Sequence, residues 1–380
     1  MLAGRIHLNP EALRDNLQVY LKLLGNECHI AGVVKSNAYG HGIVPISQMA
    51  LQYGAKYLAI NSLEEYLVLR KEFPNTILIL MGDIPHLNER RHLLNDKDLW
   101  IVLSRVQQFE WLASLSPRPE LHLKIDTGMG RLGHSGETFR EIVADLAQKK
   151  IPIDGLATHL ASTEDFTEHS YSMEQLRRFE DGVVTLNSFG YRNFKKHAAS
   201  SASALLFPEA RFDFVRIGIA MYGLWPSLET KLSLSLQGIS MKLTPVLEWK
   251  TQIQHLQSLP EGSFIGYGST FRTSYPSRIA VIPIGYYEGL DRKLSNNGYM
   301  LVKGQRARIV GRICMNMTML DVTHIPDTQI GETVTIFGED QGELISPDHH
   351  ATWTNTINYE VVTRIHPGFP KEITNGKDQA

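Results

Sequence analysis

Val33-Val34-Lys35-Ser36-Asn37-Ala38-Tyr39-Gly40-His41-Gly42 joins an apolar run to a small, polar, glycine-punctuated loop, with one lysine at the junction. Residues 29–34 read as a short buried strand and residues 42–53 have the apolar spacing of a helix, so Lys35 falls at the C-terminal end of a strand in a βα unit. Active sites of α/β barrels are built at that end. An ammonium group among apolar neighbours loses proton affinity and becomes an amine nucleophile, able to hold an aldehyde cofactor as a Schiff base. For a lone lysine at a strand end snorkelling is the better reading, and it is the rest of the chain that overturns it.

From residue 31 to about residue 222, short apolar runs alternate with amphipathic ones. Strands are expected at 31–34, 57–60, 77–80, 99–103, 121–125, 153–158, 194–197 and 214–219, a pattern that predicts a closed (β/α)8 TIM-like barrel. After residue 240 the runs shorten and Gly, Pro, Asn and Asp separate them, as in an all-β domain. The expected α/β architecture is therefore a barrel over residues 1–240 and a β-rich domain over residues 241–380.

The 380 residues, 43% hydrophobic and 21% charged, fit a globular protein with sizeable cores and exclude fibrous or disordered classes. Lys plus Arg number 38 against 40 Asp plus Glu, so no net charge draws in nucleic acid or an anionic membrane, and small molecules are the expected partners. Two cysteines make no disulfide framework, and no Cys/His cluster has zinc spacing. With neither a leader-like start nor an apolar stretch of about twenty residues, the cytoplasm is the expected compartment.

Several other segments carry chemistry. Lys124-Ile125-Asp126-Thr127-Gly128-Met129-Gly130-Arg131-Leu132-Gly133 ends a strand in charge and turns through three glycines, which lets backbone pass close to a ligand. Arg131 suits a phenolate or carboxylate oxygen, and two neighbouring cations call for a compensating anion, such as a modified Lys124. Thr158-His159 ends another strand. His197-Ala198-Ala199-Ser200-Ser201 follows a strand with small hydroxyl residues suited to a phosphate. Arg216-Ile217-Gly218 sets an arginine inside an apolar strand, where it must be paired or serve a ligand. Gly266-Tyr267-Gly268 leaves a phenol unobstructed on both sides.

Together these segments resemble the alanine racemase family over essentially the whole chain. Residues 33–42 match its cofactor-lysine signature except at Ser36, where the family usually has Ala. The segments at 124–133, 158–159, 216–218, 266–268, 311–315 and 356–360 follow in the family's order. The resemblance implies pyridoxal 5'-phosphate, a homodimer with shared active sites, and supply of D-alanine for peptidoglycan. It implies Lys35 and Tyr267 of the partner subunit as the two bases, supported by His159 and Arg216. Tyr39, Ser201, Gly218, Ile219 and Tyr359 are implied at the phosphate, Arg131 and Met315 at the substrate, and Lys124 as a site of carbamylation. Arg216 is implied at the pyridine nitrogen.

Three departures from the family pattern cover four positions: Asn316 stands for Asp, Ser200 for Asn, and Tyr287-Glu288 for Ala-Asp. They bear on substrate range, so a racemase accepting serine or lysine is a further reading. A fold-related decarboxylase, which pairs the pyridine nitrogen with a carboxylate, is opposed by Arg216. A single-barrel cofactor carrier needs no β domain and no Tyr267.

Overall fold

Eight short apolar runs become eight parallel strands because nearly every residue in them is buried, leaving no solvated face for an antiparallel arrangement. The computed structural model describes residues 3–82, 84, 87–163 and 169–374; residues 1–2 and 375–380, the outer ends of the two expected domains, lie outside the described residues. In chain order, β1 (Gly4–Leu8) precedes β2 (His29–Val33), β3 (Tyr57–Ile60), β4 (Leu78–Leu80), β5 (Leu99–Leu103), β6 (Glu120–Lys124), β7 (Gly155–Ala157), β8 (Lys195–His197) and β9 (Phe214–Ile217).

Strands β2 to β9 form one parallel sheet in the order β8-β7-β6-β5-β4-β3-β2-β9, a nearly closed TIM-like barrel. No ladder joins β8 to β9. Asp213 N–H instead donates to Lys196 O at 3.1 Å and Arg216 N–H to Ala199 O at 3.0 Å across that seam. Ala31 is in register with Tyr57 on one side and Arg216 on the other, which places Arg216 level with the strand that delivers Lys35. Inside, Tyr57, Trp100 and Phe214 pack with centroids 4.7 to 5.8 Å apart, and His122 lies 5.2 Å from Trp100.

The chain divides into two compact units, one of Arg14–Ala38 and Ile46–Leu243, the other of the segment up to Leu13, Tyr39–Pro45 and the chain from Thr244 onward. This differs from a barrel domain spanning all of residues 1–240. Strand β1 pairs antiparallel with Leu247–Gln252 and in parallel with Lys371–Ile373. The reason is in its pattern: Ile6 and Leu8 are buried and alternate with Arg5 and His7, a half-buried strand that fits the β-rich unit rather than a barrel wall.

In the β-rich unit, a ten-stranded, mostly antiparallel sheet includes Leu247–Gln252, Ser277–Ile282, Tyr299–Val302, Gln305–Ile309, Thr318–Asp321 and Thr333–Asp340. A separate hairpin pairs Phe264 with Arg272 and Ile265 with Phe271. It is anchored by Ile265, buried with Ile279, Val310 and Met319. No described helix is long and apolar enough to cross a membrane.

Candidate active site

Lys35 directly follows β2, and the four residues after it take an unexpected path. Ser36, Asn37, Ala38 and Tyr39 all have φ between 51° and 56°, one turn of left-handed helix made without glycine. Each such residue costs roughly 1–2 kcal/mol, so tertiary contacts must hold the turn. Ser36 N–H donates to Glu65 Oε1 at 2.6 Å, Asn61 N–H to Glu65 Oε2 at 2.7 Å, and Ala38 N–H to Val34 O at 2.8 Å. Tyr222 Oη fixes the strand end by donating to Val33 O at 2.7 Å. The small, polar, glycine-punctuated loop expected after Lys35 thus begins with a strained turn over residues 36–39 that fixes the direction of the backbone leaving Lys35.

Around Lys35 the barrel unit gathers cations. Burial first, then Arg131, lower the proton affinity of Lys35. Burial, Arg216 and Arg131 push Lys124 well below the usual lysine range, with Asp126 opposing. His159 is held far below its ordinary value by burial and by Arg216, Lys124, Arg131 and Lys35. Lys35, Lys124, Arg131, His159 and Arg216, expected from four separate segments, therefore share one electrostatic neighbourhood.

Arg216 is 6% exposed and is hydrogen-bonded through both Nη atoms. Its guanidinium donates to Thr158 O and Ala198 O at 2.8 Å each and to His197 Nδ1 at 2.7 Å, and His159 Nδ1 lies 3.4 Å away. Burial and Arg131 lower its pKa to about 10, so at neutral pH it keeps its proton. Ser201 Oγ accepts from Gly218 N–H at 2.9 Å, bringing together the serine and the Gly218-Ile219 backbone expected at a phosphate. Ser200 is occupied in a capping box with Ser203.

The remaining expected residues lie in the β-rich unit. There Tyr39 and Tyr359 face each other with ring centroids 6.0 Å apart. Tyr267 stands at the tip of the hairpin, 70% exposed, between Gly266 at φ 73° and Gly268 at φ 71°. A Cβ on Gly266 would come within 2.9 Å of Met319 Cε and 3.2 Å of Arg312 N, so the hairpin lies directly on the segment that leads to Met315. Met315 is 55% exposed.

The segment carrying Met315 is clamped to residues 285–290. Tyr286 N–H donates to Cys314 O at 3.1 Å and Tyr287 N–H to Met315 O at 2.9 Å. Asn316 Nδ2 donates to Glu288 Oε1 at 2.7 Å while Gly285 N–H donates to Glu288 Oε2 at 2.8 Å. Two of the departures from the family pattern, Asn316 and Glu288, are therefore one paired arrangement. A Cβ on Gly285 would overlap the carbonyl oxygens of Cys314 and Met315. Gly285→Ala is expected to lower stability by about 3 kcal/mol, checked by the urea midpoint at unchanged m-value.

Sequence reasoning missed three contributors. Asp126 Oδ1 accepts from the N–H groups of Gly128, Met129 and Gly130 at 2.8 to 3.2 Å and shapes the loop before Arg131; an Asp followed by glycines two and four residues on is a turn signal that could have found it. Glu65 and the pair His122–His197 had no local signal, since their partners are distant in sequence.

The buried histidines also predict a pH dependence. His122, His159 and His197 all lie below the ordinary histidine value of 6.5, burial being the largest cause in each case. Below 6.5 the unfolded chain binds protons that the folded chain refuses, so stability falls with acidification between 6.5 and the folded values. Denaturant midpoints of the cofactor-free protein between pH 7.5 and about 5 are expected to decline, and less steeply in His197→Phe.

Residues 8–226 match the alanine racemase N-terminal domain family and residues 246–373 the alanine racemase C-terminal domain family. An alanine racemase of Leptospira interrogans is 49% identical over 371 residues, covering 97% of this chain and 95% of its own. That of Desulfosudis oleivorans is 35% identical over 387 residues, covering 98% and 97%. The crystal structure of Bacillus anthracis alanine racemase with bound L-Ala-P superimposes with a TM-score of 0.88 at 31% identity, over 99% of this chain and 96% of that one. The Bartonella henselae alanine racemase with covalently bound pyridoxal phosphate gives 0.85 at 26% identity, over 98% and 100%.

Proposed function

The chain belongs to the alanine racemase family, isomerases that interconvert L-alanine and D-alanine, and from that premise we propose a two-base racemisation on pyridoxal phosphate by Lys35 and Tyr267. The observation that carries the reading is the placement of Lys35: an amine at the end of a barrel strand, its proton affinity reduced by burial and by Arg131. The donor set fits the cofactor. A dianionic phosphate and a phenolate suit a neighbourhood holding Lys35, Lys124, Arg131 and Arg216.

When bound, pyridoxal phosphate supplies an aldehyde that bonds to an amine and a ring that delocalises charge developing at the substrate carbon. Lys35 moves a proton to or from Cα on one face, and Tyr267 of the partner subunit does so on the other. Two faces require two bases, because a single base returning its own proton would restore the starting enantiomer. Arg216, still protonated at neutral pH, is assigned to the ring nitrogen, where it leaves that nitrogen without a proton and weakens the ring as an electron sink. Prompt reprotonation at Cα is then favoured over transamination and decarboxylation.

His159, neutral and beside Arg216, is assigned to support the tyrosine. Tyr39, Ser201, Gly218, Ile219 and Tyr359 are assigned to the phosphate, with burial pushing the Tyr39 phenol up to about 12 so that it remains a donor. Arg131 and the Met315 backbone are assigned to the phenolate or substrate carboxylate. The Lys124 amine, its proton affinity lowered by burial, Arg216 and Arg131, can in its neutral form add to the carbon of carbon dioxide and lose a proton, leaving a carbamate anion beside Arg131. The enzyme is assigned to the cytoplasm as a homodimer, supplying D-alanine for peptidoglycan.

The test is formation of D-amino acids from L-alanine, L-serine and L-lysine by the purified protein with added pyridoxal phosphate. Alanine is expected to react fastest; preference for serine or lysine would overturn the substrate assignment. The third reading, a decarboxylase, predicts release of carbon dioxide instead.

A further inference from the structure

Beneath Arg216, two histidines and a glutamate continue through the barrel interior. His197 and His122 are 1% and 0% exposed. Arg216 Nη1 lies 2.7 Å from His197 Nδ1, His197 Nε2 lies 3.0 Å from His122 Nδ1, and His122 Nε2 lies 3.7 Å from Glu120 Oε2. Glu120 opens β6, at the opposite end of the strand from Lys124. Lys195 Nζ donates to the same carboxylate at 2.9 Å.

The tautomers follow from the donors. A guanidinium can only donate, so His197 Nδ1 carries no hydrogen and its proton is on Nε2. That proton points at His122 Nδ1, which must accept, leaving the His122 proton on Nε2, toward Glu120. Both rings are neutral, because an imidazolium at either position would set donor against donor. The N–H groups of this series point the same way, from a fixed cation toward a carboxylate; the two contacts at 2.7 and 3.0 Å are hydrogen bonds that strengthen one another, and the last, at 3.7 Å, is a charge–dipole contact across a gap. The rings are also mechanically seated: His197 stacks on Phe214 at 4.4 Å, and a Cβ on Gly155 would come within 2.5 Å of the His122 ring.

We infer that Glu120 and His122 are positioning residues for the racemisation, acting through His197 to orient the Arg216 guanidinium and to set how much of its charge it presents at the barrel mouth. This rests on the assignment of Arg216 to the cofactor ring nitrogen. The carboxylate at the far end polarises the two rings, so removing its charge weakens the grip on Arg216 without touching any group at the mouth.

Glu120→Gln keeps the shape and an acceptor for Lys195 while deleting the charge. In the cofactor-free protein, nitrogen-15 NMR of the imidazoles is expected to show both wild-type rings neutral with the proton on Nε2, and a displaced His122 Nε2 resonance in Glu120→Gln. In the holoenzyme, kcat is expected to fall about tenfold, as for other outer partners of functional groups, with KM unchanged and Glu120→Asp recovering most of the loss. His122→Phe, which keeps a ring beside Trp100, is expected to lose at least as much. Unchanged imidazole resonances, or displaced resonances with an unchanged kcat, would overturn the relay. Arg216→Gln in the same assay separates the two failures: a large loss there with an intact Glu120→Gln enzyme refutes the relay alone. If Arg216→Gln also leaves kcat intact, the assignment of Arg216 fails and the relay's role fails with it.

Discussion

Lys35→Ala is expected to abolish racemisation in both directions, by at least about a thousandfold, while the protein folds normally. Lys35 is part-buried at a strand end and makes no hydrogen bond on which the left-handed turn depends; those bonds come from the Ser36 and Ala38 backbone. The loss should therefore be chemical. Wild-type protein treated with borohydride and then denatured is expected to retain the cofactor, and Lys35→Ala to release it. Lys35→Arg sharpens the test, because a guanidinium keeps the charge but cannot give up its proton near neutrality. It should be as inactive as the alanine variant. Covalent retention of cofactor by Lys35→Ala would remove Lys35 from the account.

Tyr267→Phe carries the second large effect. The phenol is 70% exposed in this chain, so losing its hydroxyl should leave stability unchanged. Net racemisation is expected to fall by about 10²- to 10⁴-fold, the range for a positioned general acid or base. Because the enantiomers are equal in free energy, the net rate must fall equally in both directions and cannot reveal which face has lost its base. Hydrogen exchange at Cα in heavy water can. One enantiomer should still exchange with retention through Lys35, while exchange from the other becomes slow. Equal, small effects on exchange from both would refute Tyr267 as a base.

The barrel was legible because parallel strands, buried on both faces, read as unbroken apolar runs such as Leu99–Leu103 and Tyr57–Ile60. The allegiance of β1 was equally present in the sequence, since Gly-Arg-Ile-His-Leu alternates as a half-buried strand does, but its position before the barrel hid the signal. The left-handed turn was not legible. Ser, Ala and Tyr have no preference for positive φ, and the contact that compensates the turn comes from Glu65, 29 residues away. The relay below Arg216 was hidden for the same reason: His122 within Leu-His-Leu-Lys looks like a satisfied core histidine, and its partner lies 75 residues on. Asn316 and Glu288 each stood out as departures, yet only the fold makes them a pair. Local chemistry was thus readable wherever one side chain implied its role, and unreadable wherever the role belongs to a contact.

The central claim, that each site joins Lys35 of one subunit to Tyr267 of its partner, is tested most directly by mixing two inactive variants. Lys35→Ala and Tyr267→Phe, co-refolded or co-expressed with distinguishable tags, form mixed dimers in which one site carries both substitutions and the other carries neither. Statistical mixing makes about half of the dimers mixed, so roughly a quarter of wild-type activity is expected to return, all of it in the doubly tagged fraction. A doubly tagged dimer as inactive as its parents would contradict the shared site.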